Sequence, residues 1–573
     1  MHQTPSAQPV DPGGVEGGRR NVVTPIVILF AIASILFGIS FCINASQAND
    51  LFWQLRTGSE IVQNHAVPHE NTFSFRRAGT PWVVHEWLTF VLFWLAFQAH
   101  GLGGVWLLQA AVVGLFSLAL FCVIYRHSGG SPLIALAMTT FAQLAASLFF
   151  QPRPQIFTYL FTIIFTGACL GARQEKPRRI YWILPLIVLW ANLHAGVLIG
   201  IGLLLGFAVC DALESRFRKD LSPEVSLART ESCVHLGIAG GIGMLLTLVT
   251  PYSWHVYQNF GATISNTTML DTVLEWLSPN FHDGFGKTVE AYMFLLVAAF
   301  CASPRQKSLA EIVLSGLLIH EALVSSRNVP LLVFVTSPFL ATHIQACLQK
   351  LLGYQDEISF WASDSLFARR MPVIPAIAVV VALGAIGAGR AADVLKRKDS
   401  QKTPPLEHLA RLCYAVASLP ENACAFVKKE GIPTNVRMYN IYGDGGYIIW
   451  ALPEHPVFID GRADVYFGKP LEEVTKMSSL PYQWQNLLDR YKCDMIIADI
   501  SSPQSRLFLA SKQWAIVYLD RPVLSEKETP LDNSYVMLRR SAAYADLIAK
   551  CRKDCPALQT DLSARYPDLA AFK

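Results

Sequence analysis

NDLFWQLRTG, residues 49–58, puts Asp50 directly after the first long apolar run, and PWVVHEW, residues 81–87, sets His85 and Glu86 between Trp82 and Trp87. A carboxylate at a membrane edge is poorly solvated, so its pKa rises toward the range in which it can take a proton from an attacking hydroxyl. The alternative is an acid that hydrates the end of a span. Arg153 in QPRPQ and Arg327 in SSRN add cations at span ends. The arginine fork holds two phosphate oxygens at once, while an arginine at mid-bilayer costs roughly 2.5–3.5 kcal/mol. Each is therefore either a phosphate ligand or a snorkelling or paired residue, with Glu86 or Glu275 as partner for Arg153.

The remaining candidates carry two readings each. Glu86 can meet Asp50 or Arg153 across a cavity, or serve as a favourable acid at a helix N-terminus. His85 is its neighbour, and adjacent residues on a helix do not share a face, so the two are not expected to ligate one ion. Glu70 is a loop acid, either solvated or substrate-facing. His194 in WANLHAG stands at a tight hairpin tip, as a structural hydrogen bonder or an acceptor contact. Glu275 and Trp276 form either a stacking edge for a sugar or part of an amphipathic helix resting on the membrane. In FIDGRADVY, Asp460, Gly461, Arg462 and Asp464 form a carbohydrate or ion contact at a strand end, or an internal salt-bridge network that fixes a turn.

These groups must be positioned by membrane helices. Of 573 residues, 52% are hydrophobic and 16% charged, and apolar runs recur near bilayer length. A net charge of +4 without a dense basic block gives no case for nucleic acid. Twelve cysteines show no CxxC and no zinc spacing; Cys413 with Cys424, and Cys551 with Cys555, could pair if extracytoplasmic. Residues 1–21 read as a disordered cytoplasmic tail.

Lysine and arginine beside spans mark the cytoplasmic side. Clusters occur at Arg19 and Arg20, Arg126, Arg173 to Arg179, Arg216 to Lys219, Arg305 to Lys307, and Arg369 and Arg370. Threading the apolar runs between them predicts spans at 22–43, 104–125, 132–150, 155–171, 180–193, 196–213, 233–250, 289–302, 308–323, 329–347 and 372–390. About eleven spans put the C-terminus outside. Trp87 to Phe97 is too short to cross, about 16 Å against a core of roughly 30 Å. It is expected as an interfacial helix held by tryptophans, with both opening motifs on one outer loop. Residues 22–395 thus form the transmembrane domain and 396–405 a linker.

Residues 406–573 read as a small α/β domain. Helices are expected at 406–418, 445–452, 471–479, 484–491 and 505–512. Strands are expected at 436–441, 457–460, 495–499, 515–519 and 535–538. There is no Walker loop and no GxGxxG.

The series NDLFWQLRTG, AVPHENTFSF, PWVVHEWL, RPQIFTYLF, LWANLHAG, TLVTPY, LEWLSP, SSRNVPL, YGDGGYIIWALP and PVFIDGRADVY resembles a group of bacterial multi-spanning proteins near the GT-C glycosyltransferases, which include protein O-mannosyltransferase-like and aminoarabinose-transferase-like enzymes. The resemblance covers nearly the whole chain. It implies a polytopic GT-C-like protein of the bacterial cytoplasmic membrane with an extracytoplasmic C-terminal domain. Its implied partners are a polyprenyl-phosphate-linked sugar, a glycan, lipid or protein acceptor, and membrane lipids. Asp50 is its clearest carry-over; together with the residue readings above, Asp50 and Glu86 are the catalytic candidates, and Arg153, Arg327, Glu70, His85, His194, Glu275 and Trp276 the substrate-binding candidates. The chain departs from the pattern at Asn49, where many relatives carry a second acid, and at Glu70, where an acid usually follows one position later. The cofactor therefore stays unassigned, a divalent cation among the candidates.

Two other classes compete. A transporter needs broken or polar midspan helices and usually a repeated half; here only His320 and Glu321, near the end of their span, approach that, and no repeat is visible. A noncatalytic scaffold for surface-polymer assembly fits if Asn49 marks lost catalysis.

Overall fold

A computed structural model of the chain describes residues 25–44, 48–174, 176–266, 270, 274–351, 373–396, 403–466, 472–473, 484–500, 502, 504–520 and 534–554. The expected tail, most of the linker, the helix at 471–479, Cys555 and the basic clusters at Arg19, Arg20, Arg369 and Arg370 lie wholly or mainly outside them.

The first part of the chain is helical: α1 (Pro25–Ser40), α2 (Asn49–Asn64), α3 (Trp87–His127), α4 (Pro132–Ala146), α5 (Gln155–Gln174), α6 (Leu184–Leu193), α7 (Val197–Phe217), α8 (Pro223–Leu246), α9 (His255–Ile264), α10 (Gly284–Ala302), α11 (Leu309–Val324), α12 (Val329–Leu351) and α13 (Val373–Leu395). Helix underlies each of the eleven predicted runs. Among the described residues, six stretches are long and apolar enough to cross a membrane: Trp87–His127, Pro132–Phe149, Gln155–Gln174, Val197–Phe217, Gly284–Ala302 and Ser326–Leu351. Pro25–Ser40 is a shorter apolar helix. The chain is a mainly helical, polytopic membrane protein with a small sheet.

α3 is two helices joined at a kink. His100 leaves helical geometry, and Gly101 adopts φ 60°, a left-handed conformation that glycine accepts without cost. Glu407 approaches so closely that a side chain at Gly101 would collide with its carboxylate. That carboxylate accepts from the Gly103 backbone N–H at 3.0 Å, placing a negative charge where the second helix begins. The predicted interfacial segment Trp87 to Phe97 thus ends at a real break.

The segment bearing Asp50, between the first two predicted spans, is helix α2. Leu51, Phe52, Trp53, Leu55 and Ile61 are buried along it, and Asp50 in the first turn suits the positive end of the dipole.

The C-terminal part comprises α14 (Pro405–Cys413), α15 (Glu421–Glu430), β1 (Met438–Asn440), α16 (Gly445–Ala451), α17 (Trp484–Arg490), β2 (Met495–Asp499), α18 (Ser505–Ala510), β3 (Trp514–Leu519), β4 (Ser534–Arg539) and α19 (Ala545–Asp554). Sheet order is β1-β2-β4-β3, with β1 parallel to β2 and the other neighbours antiparallel. The predicted strand at 457–460 does not join this sheet. Asn440 and Phe73 take its backbone bonds: the Asn440 side chain donates to the Ile459 carbonyl at 2.7 Å and accepts from the Phe458 N–H at 2.9 Å, and the Val457 N–H donates to the Phe73 carbonyl at 2.9 Å. An amide side chain and one carbonyl have replaced a ladder. α15 was not foreseen in the pattern. Cys413 is a buried free thiol, so the proposed bridge to Cys424 is absent.

One apolar core joins α2 and the start of α3 to the sheet-bearing part: Leu51, Phe52, Trp53, Phe90 and Phe93 bury with Tyr447, Ile448, Phe458 and Ile459. Phe52 meets Tyr447 edge-on at 4.9 Å.

Candidate active site

α2 delivers Asp50 to the seam between the helices and the C-terminal part. Its Oδ2 lies 3.0 Å from Nη2 of Arg153, and its Oδ1 accepts from the Trp53 indole N–H at 3.2 Å. Arg153 also pairs with Glu275 through Nη1. QPRPQ fits this task because its prolines keep the chain out of helix until α5 begins, leaving the arginine on a short turn. Of the two partners foreseen for Arg153, Glu275 is the one it takes. Asp50 is a second, unforeseen one.

Burial pushes the Asp50 carboxyl above the usual carboxylate range, and Arg153 and the Trp53 hydrogen bond offset only part of that rise. For Arg153 burial opposes the charge, but Asp50 and Glu275 outweigh it and hold the guanidinium firmly protonated.

A second charged group forms where PWVVHEW meets WANLHAG. Trp87 donates to the Asn192 side chain at 2.8 Å and Thr89 to the Leu193 carbonyl at 2.8 Å, bolting the hairpin tip to the start of α3. His194 Nε2 stands 3.2 Å from Glu86 Oε1. Its Nδ1 accepts from the Gly196 N–H at 2.9 Å and lies 2.8 Å from Thr158 Oγ1. Trp190 donates to that same hydroxyl at 3.0 Å, so the hydroxyl proton is free to point at His194. This network assigns the proton of a neutral ring to Nε2, facing Glu86. Burial pushes His194 down to about 4 despite Glu86, with Arg327 and His85 adding to the fall.

His85 Nε2 lies 3.6 Å from the same Glu86 oxygen. Adjacent residues meet here because Glu86 caps α3 with non-helical backbone, φ −106° and ψ 18°, so the rule against shared helix faces does not apply. Burial works to lower His85, and Glu86 more than reverses it. Burial works to raise Glu86, and His85, His194 and Arg327 together bring it below its usual range. Glu86 thus faces the two histidines rather than Asp50 or Arg153.

Arg327 stacks over Trp276 at 5.0 Å. Among the described residues no carboxylate lies within ion-pair distance of it. Arg153, Glu275, Arg327 and Tyr159 line one cavity of about 520 Å³ whose other walls include Leu148, Phe149, Leu277 and Phe285. Glu70 is exposed, and no described contact joins it to either group.

FIDGRADVY contains the internal salt bridge. Asp460 and Arg462 are both fully buried and share two bonds of 2.7 Å, with Tyr466 donating to the same carboxylate at 2.7 Å. Arg462 also lies over Trp82 at 4.5 Å. Gly461 abuts Asp50 so closely that a Cβ would collide with its carboxylate. Burial raises Asp464, against the pull of His85 and Arg462. The contribution of this motif to the surroundings of Asp50 and His85 has no periodicity signal; only its acid-rich turn marked it.

A divalent cation does not fit at Asp50, because a guanidinium already occupies the position between Asp50 and Glu275. Among the described residues no three His, Cys, Asp or Glu side chains converge as metal ligands.

No family model matches the chain, and no curated protein sequence does so either. The crystal structure of ArnT from Cupriavidus metallidurans in the apo state shares its fold, with a TM-score of 0.50 at 13% identity over 89% of this chain and 97% of that one. The likeness is one of fold.

Proposed function

We propose that the chain is a membrane glycosyltransferase that moves a sugar from a polyprenyl-phosphate carrier to a glycan, lipid or protein acceptor on the outer face of the cytoplasmic membrane. The observation that carries this reading is the cavity holding Arg153, Glu275 and Arg327 against an apolar wall, with Asp50 bound to Arg153 at its edge. Such a cavity is amphipathic in the way a lipid phosphate is.

In this reading the acceptor hydroxyl attacks the anomeric carbon, Asp50 takes the hydroxyl proton, and the bond from that carbon to the phosphate oxygen breaks. Arg153 and Arg327 hold the departing polyprenyl phosphate and stabilise its growing negative charge. A phosphate that draws Arg153 away also frees the Asp50 carboxylate to act as base. Glu86, oriented by His194 and His85, serves as a second carboxylate on the acceptor side. Glu275 with Trp276 forms one wall. The eleven-span threading, with the C-terminal part outside, gathers all these groups on one face.

A noncatalytic scaffold is the competing reading, favoured by Asp50 already being engaged by Arg153 and Trp53. Mass spectrometry of cell-envelope glycans with and without the gene separates the two. Loss of one defined sugar supports transfer. An unchanged sugar inventory with disturbed polymer assembly rejects it.

A further inference from the structure

A second cavity lies at the other end of the helices. Arg153 precedes α5 and Arg173 closes it; Arg327 precedes α12 and Lys350 closes it. Twenty helical residues span about 30 Å, so the two sets of charges are separated by roughly one bilayer core. Arg126, Arg173, Arg229, Arg305 and Lys350, from five separate segments, line this cavity of about 740 Å³.

Cations predominate among the described lining residues. Glu311 is the one carboxylate in the lining, and it is committed to a capping box, accepting from the Ser308 N–H at 2.6 Å. Behind the wall, Asp211 and Glu214 are buried and pair with Arg173, at 2.9 and 3.5 Å, and with Arg229, at 3.7 and 3.3 Å. Among the described residues Arg305 and Lys350 have no ion pair. The buried Nε2 of Gln349, also in the lining, has no hydrogen-bond partner among them.

Leu170, Pro338 and Phe339 form an apolar part of the same cavity. Arg126, Arg173 and Arg305 are residues that the charge rule assigns to the cytoplasmic boundary, the depth of lipid headgroups. Scattered charges would satisfy that rule equally well. Here they converge on one half-open cavity with donors and an apolar wall.

We propose that this cavity binds the phosphate headgroup of an anionic phospholipid from the cytoplasmic leaflet. The inference rests on the membrane reading and not on sugar transfer. The test is native mass spectrometry of the full-length protein with phosphatidylglycerol or phosphatidylcholine of identical chains. The double variant R305A/K350A removes two exposed cations far from Asp50. The expected result is selective retention of phosphatidylglycerol by the wild type, weakened about 30-fold in the double variant, the equivalent of ~2 kcal/mol for two interfacial cations. R305K/K350R should restore it, which separates charge from folding. Equal retention of both lipids, an unchanged double variant, or displacement of the lipid by inorganic phosphate would each overturn the assignment, the last by showing a soluble-anion site. Glycan analysis reads sugar transfer separately, so either conclusion can fail alone.

Discussion

Gly461 faces Asp50 with no room for a methyl group between its backbone and the Asp50 carboxylate. The C-terminal part therefore helps set where Asp50 points. G461A should leave the helical bundle intact yet displace the carboxylate. A misplacement near 1 Å costs on the order of 10²-fold in rate. Turnover of a polyprenyl-phosphate sugar, measured beside a thermal melt, checks this; a fully active G461A would show that the contact does not position the reaction.

D50N replaces the proposed base by a near-isostere. Loss of general-base catalysis typically costs about 10² to 10⁴-fold, and the melting temperature should not fall, since burial already disfavours the charge of Asp50. Wild-type transfer by D50N would remove the base assignment. An unaltered envelope phenotype in cells would favour the scaffold.

R153K keeps a charge and loses the fork that reaches Asp50 and Glu275 together. The Michaelis constant for the lipid donor should rise about tenfold, ~1.4 kcal/mol, with a smaller change in turnover number. A change confined to turnover would place Arg153 outside donor binding.

The pH response has two parts of defined sign. Asp50 is held above the usual carboxylate value, so kcat/KM should fall on acidification through a limb lying above pH 3.8, and D50N should lack that limb. His194 is depressed from 6.5 to about 4. Its contribution to stability is complete above pH 6.5 and is lost as pH falls toward 4. Glu86, also depressed, acts in the same direction below 4.5. As pH is lowered from 7 to 4, the melting temperature of the wild type should fall relative to that of H194Q, which lacks this linkage. Parallel curves would show that His194 carries no such linkage.

R462M strands a fully buried Asp460 carboxylate. Breaking one side of a buried pair costs about 3–5 kcal/mol, so the C-terminal part should melt at lower temperature and become sensitive to proteolysis. An undiminished melt would mean that Asp460 protonates or finds water at little cost.

The sequence by itself determined the local elements. Bilayer-length apolar runs are set by solvation along the chain, so a helix lies under every predicted run, and Met495 to Asp499 is a strand as its pattern predicts. Arg153 was nameable because a charge at a span end is costly and therefore conspicuous, and Glu275 because an acid beside Trp276 suits a sugar edge. Tertiary structure decided everything that depends on distant surfaces meeting. α2 is a helix because its apolar stripe buries against a C-terminal part almost four hundred residues away. Asn440 and Phe73 cancelled a strand by taking its hydrogen bonds. Glu86 turned to His194 rather than Asp50, and Gly461 closed on Asp50. No local propensity encodes such pairings, since each is settled only when packing fixes which buried donor finds which acceptor.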